Sequence, residues 1–169
     1  MKKVFRAIDA ISDRTGLVVQ WLSVALVAII ANETIMRYVF SYSTLWEYET
    51  VSMMGAAMYG LSFAYVMRHR LNVRVDVIYS RLPRRVQAGI DSIGMLIAFI
   101  PVMVLVTITS IQMTLRAIAI DERSAVTGWY PPAAPLRAVL AAGFVLLLLQ
   151  GAVVCIKEFY YLIRNKAYD

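Results

Sequence analysis

The sequence predicts an all-α integral membrane protein with four transmembrane helices, cytoplasmic N- and C-termini, and one or two interfacial amphipathic helices. Three observations carry this. Of the 169 residues, 60% are hydrophobic and the mean hydropathy is +0.66, whereas apolar residues make up roughly 45–50% of an ordinary soluble domain. Four apolar runs, at about 17–36, 48–67, 90–115 and 136–156, each reach the roughly 20 residues that a helix needs to cross a hydrocarbon core of about 30 Å. The basic residues are distributed unevenly between those runs, as membrane topology requires. A chain of this length organises as a single membrane domain over 1–169.

The segment before the first run, about 2–14, carries Val4, Ile8 and Ile11 at helical spacing, with Phe5 beside Val4. Lys2, Lys3, Arg6, Asp9 and Asp13 take the other face. This predicts a helix lying flat on an anionic leaflet, basic side toward the headgroups, because the apolar stripe would otherwise be wetted. The first run is too long for a signal-peptide core and lacks a small-x-small cleavage site, so it is expected to be retained. Between the second and third runs, Val75, Ile78, Tyr79 and Leu82 form another apolar stripe that stops at Pro83. The segment at about 74–83 is therefore expected to be a second surface helix. The third run is longer than a span needs and contains Pro101, which predicts tilt or a kink. Gly128, Pro131, Pro132 and Pro135 precede the fourth run and predict a non-helical lead-in.

Orientation follows from charge. Lys2, Lys3, Arg6, Arg14, Arg68, Arg70, Arg74, Arg81, Arg84, Arg85, Lys157, Arg164 and Lys166 fall on one side, and Arg37, Arg116, Arg123 and Arg137 on the other. The thirteen belong in the cytoplasm. The net charge of +6 is thus topological, and no nucleic-acid partner is expected. Membrane lipid is.

Polar and small residues within the runs are the candidates for function. Glu33 and Arg37 lie four apart near the outer end of the first helix, an orientation that allows pairing on one face. They read as a self-neutralised pair anchoring the helix end, in preference to a polar contact with another helix or a coupling-ion site. Ser52, Ala56, Gly60 and Ala64 recur at intervals of four in the second helix, a register that lets helix backbones approach closely. Thr107, Thr109, Ser110, Gln112 and Thr114 make the outer half of the third helix polar. They line a pathway or a buried protein interface, or bond back to their own helix. His69 and Cys155 are each the sole residue of their type. That excludes bis-histidine haem, an internal disulfide and a thiolate metal centre. No phosphate-cradling glycine loop and no nucleophile beside a base is present. No enzymatic activity, cofactor or metal is expected.

Arg37-Tyr38-Val39-Phe40 closing the first helix, Trp46-Glu47-Tyr48-Glu49 opening the second, and Arg68-His69-Arg70-Leu71-Asn72-Val73-Arg74-Val75-Asp76 after it resemble the small membrane subunit of tripartite ATP-independent periplasmic (TRAP) transporters. The chain departs from the family pattern in placing Tyr48 between the two acids, in having Asn72 where histidine is usual, and in the order of Thr127-Gly128-Trp129-Tyr130-Pro131-Pro132. The resemblance implies a non-catalytic scaffold subunit in the bacterial inner membrane. It would brace a large, sodium-coupled, elevator-type membrane subunit for uptake of an organic acid anion. The implied partners are that large subunit and a periplasmic substrate-binding protein. The resemblance also implies that Trp46, Glu47 and Glu49 lie at the periplasmic end of the second helix, where they fix the assembly or touch the docked binding protein. Arg74 and Asp76, within the third matching stretch, are further candidates for assembly contacts.

Two other classes compete. A stand-alone four-helix proton-coupled small-molecule transporter acting as a homo-oligomer would need a carboxylate deep in the bundle, and Glu33 lies near a helix end. A haem or quinone anchor would need ligands that the chain does not supply.

Overall fold

The computed structural model describes residues 2–42, 44–69, 71 and 82–164. Helix α1 spans Lys2–Val39, α2 Glu47–Arg68, α3 Arg84–Ala119 and α4 Ala134–Arg164. All four are long and apolar enough to cross a membrane, and no strand occurs among the described residues. The helices overrun the predicted apolar stretches because their flanks can continue the helix, the prolines of those flanks standing only at N-termini, where they are tolerated: Pro83 just before α3 and Pro135 in the first turn of α4.

That overrun corrects one expectation. Segment 2–14 is not a separate surface helix: it continues into α1 as one helix of 38 residues. The residue nearest to a breaker, Gly16, is needed for packing, since a Cβ there would run into the ring of Tyr65 on α2. The second predicted surface segment lies outside the described residues, except for Leu82 and Pro83.

Helix α3 is interrupted where the sequence predicts a kink. Residues Met95–Phe99 are π-helical, and the Ile100 N–H reaches back to the Met95 carbonyl. Pro101 then sits in the first turn of the α-helical Ile100–Ala119. Proline lacks an N–H and its ring clashes with the carbonyl four residues back, so a widened turn just ahead relieves both problems. The far end of α3 closes in a Schellman arrangement: Asp121, at φ 47°, donates to the Ile118 carbonyl, and the Glu122 N–H donates to the Ala117 carbonyl at 2.9 Å. The non-helical lead-in to α4 is a short loop, tied by Ser124 N–H to the Pro131 carbonyl and Ala133 N–H to the Glu122 carbonyl, each 2.9 Å.

The helices lie in the order α1–α2–α4–α3, with α4 also touching α1. In α4's most apolar stretch 39% of residues are buried, against 6% in α1, so α4 is the spine and α1 an outer rib. The α2–α4 crossing is close. A Cβ on Gly143 would stand 2.5 Å from the Gly60 carbonyl oxygen, and one on Gly60 would stand 2.7 Å from a Leu140 methyl. Gly60 and Ala64 of the predicted small-residue stripe are buried in the fold, while Ala56 is half-buried and Ser52 exposed. Large side chains such as Trp21, Ile97 and Leu105 remain exposed along the outer faces. A thin layer of four helices cannot cover them.

Candidate functional site

Polar residues collect at the two ends of the layer. At the loop end, where 40–46 and 120–133 connect the helices, two carboxylates turn inward. Glu33 is 5% exposed. Its Oε1 accepts from Arg37 Nη2 at 3.3 Å and from the Thr44 N–H at 3.2 Å, and its Oε2 accepts from the Thr44 hydroxyl at 2.6 Å. It therefore holds the connecting loop onto α1. Glu49 is 3% exposed, and its Oε1 accepts from both the backbone N–H of Thr127, at 2.7 Å, and the Thr127 hydroxyl. It clamps the second loop onto α2.

Glu47 and Glu49 do not act as one acidic pair. A separation of two residues on a helix turns side chains about 200° apart. Glu47 stays partly exposed and its side chain makes no hydrogen bond or ion pair with another described residue, while Glu49 is occupied inside. Trp46 precedes the first turn of α2, and its carbonyl accepts from the Thr50 hydroxyl at 2.7 Å. Tyr38, Phe40, Tyr42, Trp129 and Tyr130, in the helix end and loops on the same side, are exposed as well, so aromatic side chains are frequent on the surface of this end. Arg137 of α4 pairs with Glu122, and Arg123 with Asp121 at 3.1 Å. Arg74 and Asp76 lie outside the described residues.

Glu49→Ala is expected to free the loop around Thr127 while leaving the helices intact, because it removes two hydrogen bonds to a segment with few others. Amide exchange at 124–130 should then rise by at least tenfold, with α2 unchanged; unaltered protection would show that the clamp is dispensable.

The opposite end holds a cluster that the sequence reading missed. Ser12, on α1 and fully buried, donates to Gln150 Oε1 at 2.9 Å, and Gln150 Nε2 donates to Asp9 Oδ1 at 3.0 Å. Asp9 Oδ2 accepts from Lys157 Nζ at 3.1 Å. Arg68 of α2 pairs with Asp13 and donates to the Asp9 backbone carbonyl, and His69 Nε2 stands 3.2 Å from Asp13 Oδ1. Close by, Arg84 pairs with Glu158, itself 2% exposed, at 3.1 Å and stacks over Tyr161. Asp9 and Asp13 thus face α2 and α4, where the amphipathic reading placed them toward headgroups. The missed signal was the set Gln150, Lys157 and Glu158, seven and eight residues apart, which falls on one face of α4.

Glu33 and Glu49 tie loop to helix, and Asp9, Asp13, Ser12, Gln150 and Glu158 tie helix to helix. Among the described residues, no group of three or more His, Cys, Asp or Glu side chains is placed to hold a metal ion, and Cys155 is buried as a free thiol. In comparison with known proteins, the family model described as "Tripartite ATP-independent periplasmic transporters, DctQ component" matches residues 26–161. No curated protein matches the chain.

Proposed function

The chain belongs to the DctQ family of tripartite ATP-independent periplasmic transporters, and from that premise we propose that it braces the scaffold of the large membrane subunit during uptake of an organic acid anion. Membership makes it a small component of a TRAP transporter in a non-catalytic family, with a large membrane subunit and a periplasmic binding protein as the family's working partners. The bracing role, sodium coupling at the large subunit, and an organic acid as cargo are the finer content of the proposal.

One observation supports the bracing role above the others: the buried carboxylates and amide, Glu33, Glu49, Glu158 and Gln150, are engaged by ties within the chain and only the small hydroxyls of Ser92 and Thr107 are left without a partner among the described residues, while the apolar outer faces of α1 and α3 stay open. A carrier needs a polar site that exchanges partners during transport. A brace needs broad apolar faces on a fixed frame. With thirteen of seventeen basic residues on the side of the termini, the proposed orientation puts both termini in the cytoplasm and the loop end in the periplasm. There the carboxylate of Glu47, without a partner among the described residues, and the exposed aromatic side chains of this end would meet the large subunit or the docked binding protein.

The test is to affinity-tag the chain in its host, solubilise the membranes gently, and identify what co-purifies. A large polytopic membrane protein in stoichiometric amount is the expected result. A pure homo-oligomer that catalyses proton flux alone in liposomes would overturn the proposal in favour of a stand-alone carrier. Glu47→Lys then probes this end: transport should fall severalfold with the subunit still folded, whereas undiminished transport removes Glu47 from the contact.

A further inference from the structure

Two neighbouring cavities at the loop end of the α3–α4 seam share Met113 and Arg137. The larger, about 570 Å³, is walled by Leu105, Val106, Met113, Leu140 and Phe144 and runs along the seam with Arg137 at its mouth. Its size is that of a small-molecule site, which spans roughly 300–1,000 Å³. The smaller, about 280 Å³, is bounded by Arg116, Arg137, Glu122 and Ile120. Glu122 is neutralised by Arg137. Arg116 is exposed and its guanidinium makes no hydrogen bond or ion pair with another described residue, so one positive charge is left over at the head of an apolar slot.

The dimensions select the occupant. Leu105 lies eleven residues before Arg116 on α3, a rise of about 16 Å at about 1.5 Å per residue. One leaflet of a hydrocarbon core of about 30 Å is about 15 Å deep. Arg116 stands near the end of α3, which closes at Ala119, a position that in a bilayer-spanning helix would set its guanidinium at headgroup level and Leu105 near mid-bilayer. An apolar slot one leaflet deep, headed by a guanidinium with no partner among the described residues, matches a molecule with an acyl chain below and an anionic oxygen group above.

We propose that the α3–α4 seam is a binding site for one phospholipid, its acyl chain lying between the helices and its phosphate on Arg116. Arg137 is held by Glu122 and by the Met113 carbonyl, which it reaches at 3.3 Å. It shapes the junction of the two cavities, and Arg116 supplies the specific contact. The lipid would fill a gap that the helices leave open and stiffen the edge of the layer. The site depends on the chain spanning a membrane and not on the identity of its protein partner.

The experiment is native mass spectrometry of the full chain in the complex purified from its host in mild detergent. The wild type is expected to retain one phospholipid per copy. Arg116→Gln, on an exposed side chain, and Thr109→Trp, which fills the slot from an exposed position, should each lower that occupancy at least fivefold without altering complex assembly. Arg116→Lys should keep most of it. A photo-crosslinking side chain at position 109 should give a lipid adduct. A wild-type complex without retained lipid, equal retention in both disruptive variants, or a crosslink from position 109 to a polypeptide overturns the proposal. The last outcome would make the seam a protein interface.

Discussion

Replacing Gly143 by valine is expected to prevent stable folding of this chain, the largest single-residue effect the structure predicts. A side chain at this position meets the backbone carbonyl of Gly60, 2.5 Å from where the Cβ would sit. A carbonyl in a helix cannot rotate away, so α2 and α4 would have to separate along the seam that also buries Ala64 and Ala141. Overpacking a core costs about 1–3 kcal/mol when side chains can shift, and here the obstacle is backbone. The gain in helix propensity from glycine to valine, roughly 0.3 kcal/mol, does not offset it. The glycines should rank by what stands beside them. Gly60→Ala meets a Leu140 methyl at 2.7 Å, which can turn aside, so a milder loss is expected. Gly94→Ala meets nothing within 4 Å and should stabilise by about 0.5–1 kcal/mol through the backbone alone. Thermal unfolding in detergent, followed by fluorescence of the three tryptophans, checks the order. A Gly143→Val variant melting with the wild type would refute the close α2–α4 crossing.

Asp9→Leu is expected to be the next most damaging change, because this one carboxylate joins α1 to α4 through two contacts. It accepts from Gln150 at 3.0 Å and from Lys157 at 3.1 Å. Hydrogen bonds to charged groups contribute about 1.5–3 kcal/mol each, while polar contacts between helices in membranes average nearer 0.6 kcal/mol. The Asp9 and Lys157 side chains are 19% and 32% exposed, so the lower range governs the ion pair and a total loss of about 2 kcal/mol is expected. The diagnostic is the double variant Asp9→Leu with Lys157→Met. If the ammonium left without its partner accounts for much of the cost, the second substitution recovers part of the stability, and the cycle yields a coupling of at least about 0.5 kcal/mol. Strict additivity would show that Lys157 is already satisfied by water.

How much of this was legible in the sequence differs by element. The four spans, the disturbance at Pro101 and the irregular lead-in to α4 follow from local rules: apolar length, a missing N–H, a cluster of turn residues. Helix continuity was misjudged at 2–14. Amphipathicity reports which face is apolar, but whether two helical stretches join depends on the absence of a break, and Gly16 serves packing against Tyr65. The pairing of Glu33 with Arg37 was readable, being a contact within one helix, whereas the Thr44 hydroxyl on Glu33 was not. Likewise Glu47 and Glu49 looked alike in sequence and differ in the fold. Only the position of Thr127, seventy-eight residues further on, decides that one is buried and the other partly exposed.

By itself, then, the sequence determined the solvent and the family: a chain this apolar must lie in lipid, and the motifs at 37–49 are short and contiguous. The tertiary structure decided which polar groups are spent inside and which surfaces remain. That Ser12, Gln150, Asp9 and Lys157 converge, that two glycines meet at one crossing, and that α3 and α4 part to leave a slot headed by Arg116 all depend on helix rotation and neighbour order. Periodicity fixes which residues share a face. Which face meets which helix is set by the packing of small residues and hydrogen bonds between segments far apart in the chain.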